Sequence, residues 1–488
     1  MLQFLQDHLW QLLLGVNYAL VIVFSVLIVL KNNNPVKTLS YLFALATLPF
    51  LGLLVYYFFG QDYRKNKIFA KKYFLDDEKL RQWRERFALD PPERVDFRKE
   101  YGEGMFKIYR LLSGNEKAVL TFDNAVELLL NGEAKFPRLK DDLRKARHHI
   151  HMEYFVVHED ARVQEILEIL CAKAREGLSV RLIYDDVGSQ LSGATQATLR
   201  ESGVAFYPFM PVRYPSFTSK LNYRDHRKIV VIDGHTGYVG GVNLSGKYDN
   251  SFEGNERYWR DTHLRIEGAA VGSLQASFLL SWDFVSGDKL KIERSFFPQV
   301  KPPNLQPVAV QIVRSGPDTD WAHIMEAMFT AINTARDYIY ITTPYLIPNE
   351  AILTGLTTAG RSGVDVRVII PYDSDSWAAQ YATDSYIEEL VCSGVRVYRY
   401  KKGFVHSKTL VVDDLFSSIG TANLDYRSFS INFEVNALLY SRIIAAEMKG
   451  IFLEDLNECV EVEAGRWKDR GLQRKLQESF NRLWAPLL

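Results

Sequence analysis

Two short stretches hold the residues best suited to chemistry. DHRKIVVIDG starts at Asp225 and VHSKTLVVDD at Val405, and both set a histidine, a lysine and an aspartate at one spacing. The first set is His226, Lys228 and Asp233; the second is His406, Lys408 and Asp413. An asparagine follows each histidine by 17 residues, Asn243 closing GGVN and Asn423 closing GTAN. KIVVID and KTLVVD are apolar and rich in β-branched residues, so they read as strands. Residues two apart on a strand share a face, which puts His226 beside Lys228 and His406 beside Lys408. Each aspartate lies an odd number of positions from its histidine and points the other way; Asp233 also precedes Gly234 as a hairpin-turn pair. Asp233 and Asp413 are therefore expected to support the site more than to react in it.

If both copies meet, one site holds two imidazoles, two ammonium groups and two carboxamides. Two fixed positive charges suit an anion, and a phosphodiester offers one negative charge with two free oxygens. Lys228 and Lys408 would hold those oxygens and stabilise the charge that builds in the transition state. Imidazole titrates near pH ~6.5, so one ring can be neutral and attack phosphorus while the other, protonated, serves the leaving alkoxide. A phosphohistidine results, and an incoming hydroxyl reverses the steps. This chemistry calls for no metal or other cofactor, and a zinc site that included two lysines would repel its ion. RHHIHMEY (Arg147 to Tyr154) sets His149 and His151 on one strand face; it reads as a strand entered from a helix end, with metal binding as the alternative. No P-loop, dinucleotide fingerprint or GxSxG elbow occurs in the sequence.

The elements around the triplets are also written twice. MEYFVV near Met152 is answered by TPYLIP near Thr343, VRLIYDD at Val180 by VRVIIPYD at Val366, and ESGVAFY at Glu201 by CSGVRVY at Cys392. Strand-like runs alternate with helical periodicity, as in VQEILEILCAKAREG before LSVRLIYDD, so each half reads as an α/β unit. The expected architecture is a duplicated α/β sandwich with pseudo-twofold symmetry, residues 106–295 and 308–488, joined by the Pro-rich FFPQVKPPNLQP. Roughly eleven extra residues around MPVRYPSFTSKLNYR stand before the first histidine; they shape substrate access or form a plain surface loop, the aromatic RYPSF being a candidate lipid contact.

Composition shifts at the amino terminus. Leu9 to Leu30 and Thr38 to Phe59 are uncharged runs of 22 residues each, roughly 33 Å as helix and enough to cross a bilayer core. A transmembrane hairpin is expected over residues 1–62, with Pro49 tolerated inside the second span. A cleaved signal peptide fits the first run poorly, because no Lys or Arg precedes Lys31. Lys31 and Lys37 lie between the runs; Arg64, Lys65, Lys67, Lys71 and Lys72 follow them, which puts both termini and the catalytic region on the cytoplasmic side of a multi-pass membrane protein. Residues 63–105 read as a charged, helix-prone linker. A formal net charge of zero gives no nucleic-acid footprint, and three scattered cysteines, Cys171, Cys392 and Cys459, fit a reducing compartment.

On its two triplets the chain resembles the phospholipase D superfamily, whose hallmark is a duplicated HxKx4D motif, over roughly Lys107 to the carboxyl terminus. The twin apolar runs, QIVRSGPDTDW (Gln311 to Trp321), TPYLIP and the terminal RLWAPLL are similar to the bacterial cardiolipin synthases within it. The resemblance implies phosphatidyl transfer between two phosphatidylglycerol molecules in the bilayer, giving cardiolipin and glycerol. It places His226, Lys228, Asn243, His406, Lys408 and Asn423 at the phosphate, counts Asp233 and Asp413 with the motif, and favours His226 as nucleophile and His406 as acid. It also puts an acid after each motif to orient the histidine, at Asp261 in YWRDTHL and Glu434 in INFEVN. Three alternatives stay open: a hydrolase with water as acceptor, a nucleic-acid phosphodiesterase that neutral charge disfavours, and a scaffold with vestigial motifs. Such a membrane-anchored chain can also form homo-oligomers.

Overall fold

A computed structural model describes residues 8–30, 35–48, 50–53, 56, 78–87, 91–115, 118–212, 222–287, 290, 292–299, 307–319 and 321–485. RYPSF, the basic cluster from Arg64 to Lys72 and most of the Pro-rich joint lie outside them. The described residues fall into two units, 8–56 and 78–485.

In the first unit, Leu9–Leu30 is one continuous helix, and among the described residues it alone is long and apolar enough to cross a membrane. The second apolar run departs from the expected single helix. Its first helix spans Pro35–Thr47, 13 residues or about 20 Å, and ends two residues short of Pro49, with helical backbone resuming at Leu51–Leu53. A proline supplies no N–H to the helical ladder and pushes the residue before it out of helical geometry. Phe50 then takes a left-handed conformation (φ 60°), and its freed N–H donates to Asn17 Oδ1 at 2.9 Å. Val21 and Ile28 of the long helix pack with Leu45 of the shorter one.

The second unit is built on one fifteen-stranded sheet. Its first-half strands are β1 (Leu120–Leu130), β2 (His149–Tyr154), β3 (Ser179–Asp185), β4 (Ala205–Phe209), β5 (Lys228–Ile232), β6 (Thr236–Gly240) and β7 (Thr262–Gly268). The second half supplies β8 (Val308–Ser315), β9 (Tyr338–Thr342), β10 (Asp365–Pro371), β11 (Arg396–Tyr400), β12 (Thr409–Val412), β13 (Phe416–Gly420), β14 (Glu434–Tyr440) and β15 (Cys459–Glu461). Across the sheet the order is β15-β11-β10-β9-β12-β13-β14-β8-β1-β7-β6-β5-β2-β3-β4. Read outward from the β1–β8 seam, the first seven strands of each half follow one sequence. The seam is antiparallel, Leu120 opposite Gln311 and Thr121 opposite Val310.

The triplet strands sit inside each half and are buried on both faces, which is why KIVVI and TLVV are unbroken apolar runs. Ile229 and Val231 enter a core shared by both halves with Val411 and Ile419, while Val230 and Ile232 enter the outer core of the first half. The expected boundary between residues 105 and 106 falls inside one helical segment, Pro91–Asn115, bent at Gly102 (φ 81°). Met105, Ile108 and Leu112 of that segment pack with Ile324 and Met328 of the second half. Met105 of the linker, with Ile108 and Leu112 just beyond it, thus contributes to the second half's core, while Trp83 of the linker packs with Val119 and Ile292 of the first.

Candidate active site

Each histidine stands at the mouth of a triplet strand and is tied to the opposite half. The His226 N–H donates to Phe433 O at 3.0 Å, and the His406 N–H to Arg260 O at 2.7 Å. Gly403–Val405 pairs in parallel with Tyr258–Arg260, and Asp225 bridges Phe433. This exchange carries the acids across. Nδ1 of His226 lies 3.0 Å from both carboxylate oxygens of Glu434, and Nδ1 of His406 lies 2.7 Å from Asp261 Oδ2. The acid after each motif therefore serves the histidine of the other motif. With Nδ1–H donated to a carboxylate, Nε2 carries the lone pair.

The lysines sit behind the rings. Lys228 Nζ donates to His226 O and Lys408 Nζ to His406 O, each at 2.6 Å, so each keeps donor capacity for an anion. Asn423 donates to Asp425 at 3.0 Å, and its buried Oδ1 has no partner among the described residues. Asn243 is more enclosed: Nδ2 donates to Tyr248 at 2.8 Å and Oδ1 accepts from the Val156 N–H at 3.1 Å. Asp233 and Asp413 lie at the far end of their strands. Asp233 accepts the N–H groups of Arg147, His148 and His149; Asp413 accepts those of Arg336, Asp337 and Tyr338. Both take left-handed φ, 54° and 52°, in the turn that closes the hairpin. They hold the start of β2 and β9, away from the imidazoles.

Burial sets the electrostatics. It holds the His226 imidazole down at about 4 against the pull of Glu434, and holds His406 well below its usual value with Lys408 and Lys228 adding to it. It lowers Lys228 to about 7 and Lys408 to about 8, and raises Asp261 to about 6. For Glu434 burial pushes upward, but His226, Lys228 and Thr421 outweigh it and keep the carboxyl below its usual range. Without an anion, both rings are neutral at pH 7. A negative charge placed beside them would raise the affinity of each ring for a proton.

Several contributors were not legible as such in the sequence. The Thr421 hydroxyl donates to Glu434, and the Thr262 and Ser407 hydroxyls meet at 3.0 Å. Lys135 is fully buried, donates to Val242 O at 2.6 Å next to Asn243, and feels the charges of Asp261 and Lys228. The helix Asn131–Lys145 buries Gly132, Lys135, Phe136 and Leu139; His323–Thr334 buries Ile324, Ala327, Met328 and Ala331 at the same spacing. Lys135 thus occupies the place of Ala327, and only a buried lysine on that helix face would have signalled it. His149 and His151 converge on the Gln275 carboxamide, at 3.0 and 2.8 Å, beside Phe278 and Phe296. That is a packed core arrangement, separate from His226 and His406.

The chain matches the family described as cardiolipin synthase, phospholipase D-like domain, in two copies over residues 139–257 and 328–456. Residues 19–61 match the phospholipase D-nuclease N-terminal family. Cardiolipin synthase 2 of Bacillus anthracis is 40% identical over 473 residues, covering 94% of this chain and 88% of that protein. The cardiolipin synthase of Halalkalibacterium halodurans is 39% identical, covering 96% and 92%. Among solved structures, phosphatidylserine synthase of Haemophilus influenzae superposes with a TM-score of 0.60 at 16% identity, over 78% of this chain and all of that one, and so shares the fold. Fold and duplicated site define a phospholipase D-like protein. Within that class, the chain belongs to the cardiolipin synthase family, and its apolar helix Leu9–Leu30 associates it with a membrane.

Proposed function

We propose that this chain is a membrane-bound phosphatidyl transferase that converts two phosphatidylglycerol molecules into cardiolipin and glycerol. The observation that carries this reading is the crosswise pairing of two imidazoles with two buried carboxylates, beside two lysines. The donor phosphate binds between Lys228 and Lys408. Neutral His226 attacks phosphorus through Nε2 with Glu434 fixing its tautomer, and His406, protonated as the anion arrives, gives its proton to the glycerol oxygen. The P–O bond to glycerol breaks as the P–N bond forms. A hydroxyl of the second phosphatidylglycerol then attacks, His406 takes its proton, and the P–N bond breaks. Lys228, Lys408, Asn243 and Asn423 stabilise the phosphorane charge in both steps. None of these steps draws on a metal, another cofactor or a nucleic acid.

The two apolar runs span the membrane in this reading, and the excess of basic residues after the second keeps both termini cytoplasmic. The halves 106–295 and 308–488 act as one catalytic unit, and homo-oligomers form through the anchored chain without adding a residue to the site. The test uses purified full-length protein, headgroup-labelled phosphatidylglycerol and a chelator. Release of glycerol with matching cardiolipin, and a trapped phosphate on His226, is the expected result. Free phosphatidic acid alone would make it a hydrolase, no product at all would make it a scaffold, and activity that returns only with added zinc or magnesium would overturn the metal-free mechanism.

A further inference from the structure

The helix Leu472–Arg482 is amphipathic in the reverse of the usual sense. Its polar side faces protein: Glu478 and Asn481 are buried, and Arg474 reaches the buried Asp384 at 3.0 Å. Arg470, just before the helix, bridges Glu478 and Glu388 at 2.7 Å each, and Arg482 lies over the Tyr386 ring at 4.2 Å. These outer partners all sit on the helix Trp377–Cys392, so the arrangement is pinned. The apolar side faces outward. Leu472 (73% exposed), Leu476 (61%), Phe480 (57%), Leu483 (75%) and Trp484 (48%) fall within about a third of the helix circumference. An apolar stripe held outward by ion pairs on the opposite face is a surface built to be covered.

We propose that this stripe is a second membrane contact, laying the carboxyl-terminal helix into the headgroup region of the bilayer with its leucines and aromatics at the acyl boundary. Three features select a lipid surface over a second copy of the chain. The chain already carries an apolar helix able to cross a membrane, which keeps the catalytic unit at high effective concentration beside lipid. The stripe combines leucines with the Phe480–Trp484 pair and is bordered on one side by Lys475, the composition an anionic interface accepts. Antiparallel twofold pairing on this stripe would set Lys475 against its own copy, like charge to like. The supporting helix begins two residues after Asp375, which is electrostatically coupled to Lys408. Docking therefore fixes the height of the site's rim over the lipid surface, a role that rests on the lipid-transfer reading.

The test uses full-length protein reconstituted into phosphatidylglycerol–phosphatidylethanolamine vesicles. Phe480→Cys, in a background with Cys171, Cys392 and Cys459 replaced by serine, carries a fluorophore, and lipids brominated along the acyl chain act as quenchers. Strong quenching is expected there, against none at Glu168→Cys on the exposed face of another helix. The double variant L476E/F480E should transfer about tenfold more slowly with vesicle substrate and at an unchanged rate with detergent-dispersed phosphatidylglycerol. Quenching no stronger at position 480 than at 168 would overturn the proposal, as would an unchanged vesicle rate in the double variant. Self-crosslinking of Phe480→Cys without quenching would overturn it in favour of a second copy. If the parent protein transfers in neither medium, the lipid-transfer reading fails, and quenching decides the docking face alone.

Discussion

The crosswise pairs make a prediction that a within-half arrangement cannot. Glu434→Gln removes a fully buried charge 3.0 Å from His226 Nδ1 but leaves an oxygen that can accept the same hydrogen bond. A hydrogen bond to a charged group contributes about 1.5–3 kcal/mol, and no solvent screens this one. The imidazole becomes cationic as it takes phosphorus or a proton, so that contribution is lost in the transition state, slowing the step roughly 10- to 150-fold. Asp261→Asn should impair His406 by a similar factor. The assay compares two donors that differ only in leaving group, glycerol against p-nitrophenol, and follows the burst of the first half-reaction. The aryl leaving group departs without a proton, so a defect in the acid is bypassed and a defect in the nucleophile is not. His406→Ala and Asp261→Asn should recover together on the aryl donor, while His226→Ala and Glu434→Gln stay slow. If Asp261→Asn instead behaved like His226→Ala, and Glu434→Gln like His406→Ala, the pairing would be wrong, whichever ring is the nucleophile.

Three further outcomes follow from the same geometry. The profile of kcat/KM, which reports the free enzyme, should be bell-shaped: Asp261 loses its negative charge as pH falls through about 6, and Lys228 and Lys408 lose their positive charge as pH rises through about 7 and about 8. A flat profile between about pH 5 and 9 would contradict those environments. Asp233→Ala strips the acceptor from three backbone N–H groups and should lower stability by roughly 1–3 kcal/mol, read as a fall in Tm, while the protein that stays folded keeps its turnover. Lys135→Met fills the same volume but leaves Val242 O without its donor; turnover should fall about tenfold with the fold retained, and unchanged turnover would remove Lys135 from the machinery.

What the sequence disclosed and what it withheld divide along a physical line. The duplicated triplets, the asparagines and the alternation of strand and helix are local patterns, and all reappear as elements in the same order. The structural role of Asp233 and Asp413 was also legible, because strand parity and a turn pair are local rules. The identity of the two acids came through resemblance, but their exchange between halves did not: it depends on the register between Tyr258–Arg260 and Gly403–Val405, about 145 residues apart, which no local rule encodes. Pro49 was read as tolerable inside a span; helical backbone lies on both sides of it, and Asn17 offers the freed Phe50 N–H a partner. Lys135 looks like an ordinary helix lysine until its burial is known. The carboxyl-terminal helix shows its amphipathic spacing openly in the sequence, but which side faces protein is decided by ion pairs to a distant helix.

Duplication creates two near-equivalent histidines, while the mechanism proposed above needs one to attack and the other to shuttle a proton. The structure breaks the equivalence at the carboxylates. Glu434 is held below its usual range by His226, Lys228 and the Thr421 hydroxyl, so it stays anionic through neutral pH. Asp261, raised to about 6 by burial, lies closer to protonation. A phosphorylated imidazole is cationic and benefits from a permanently anionic neighbour, which suits His226 to the covalent step of the proposed mechanism. A proton shuttle must gain and lose its charge in each cycle, and a carboxylate of weaker commitment beside His406 costs less when that ring returns to neutral. The first half also carries Lys135 where the second carries Ala327, so the field behind the asparagines differs between copies. The same crosswise exchange that makes each half dependent on the other thus gives the two rings unequal partners, the asymmetry that the proposed division of labour draws on and that the repeated motifs alone could not impose.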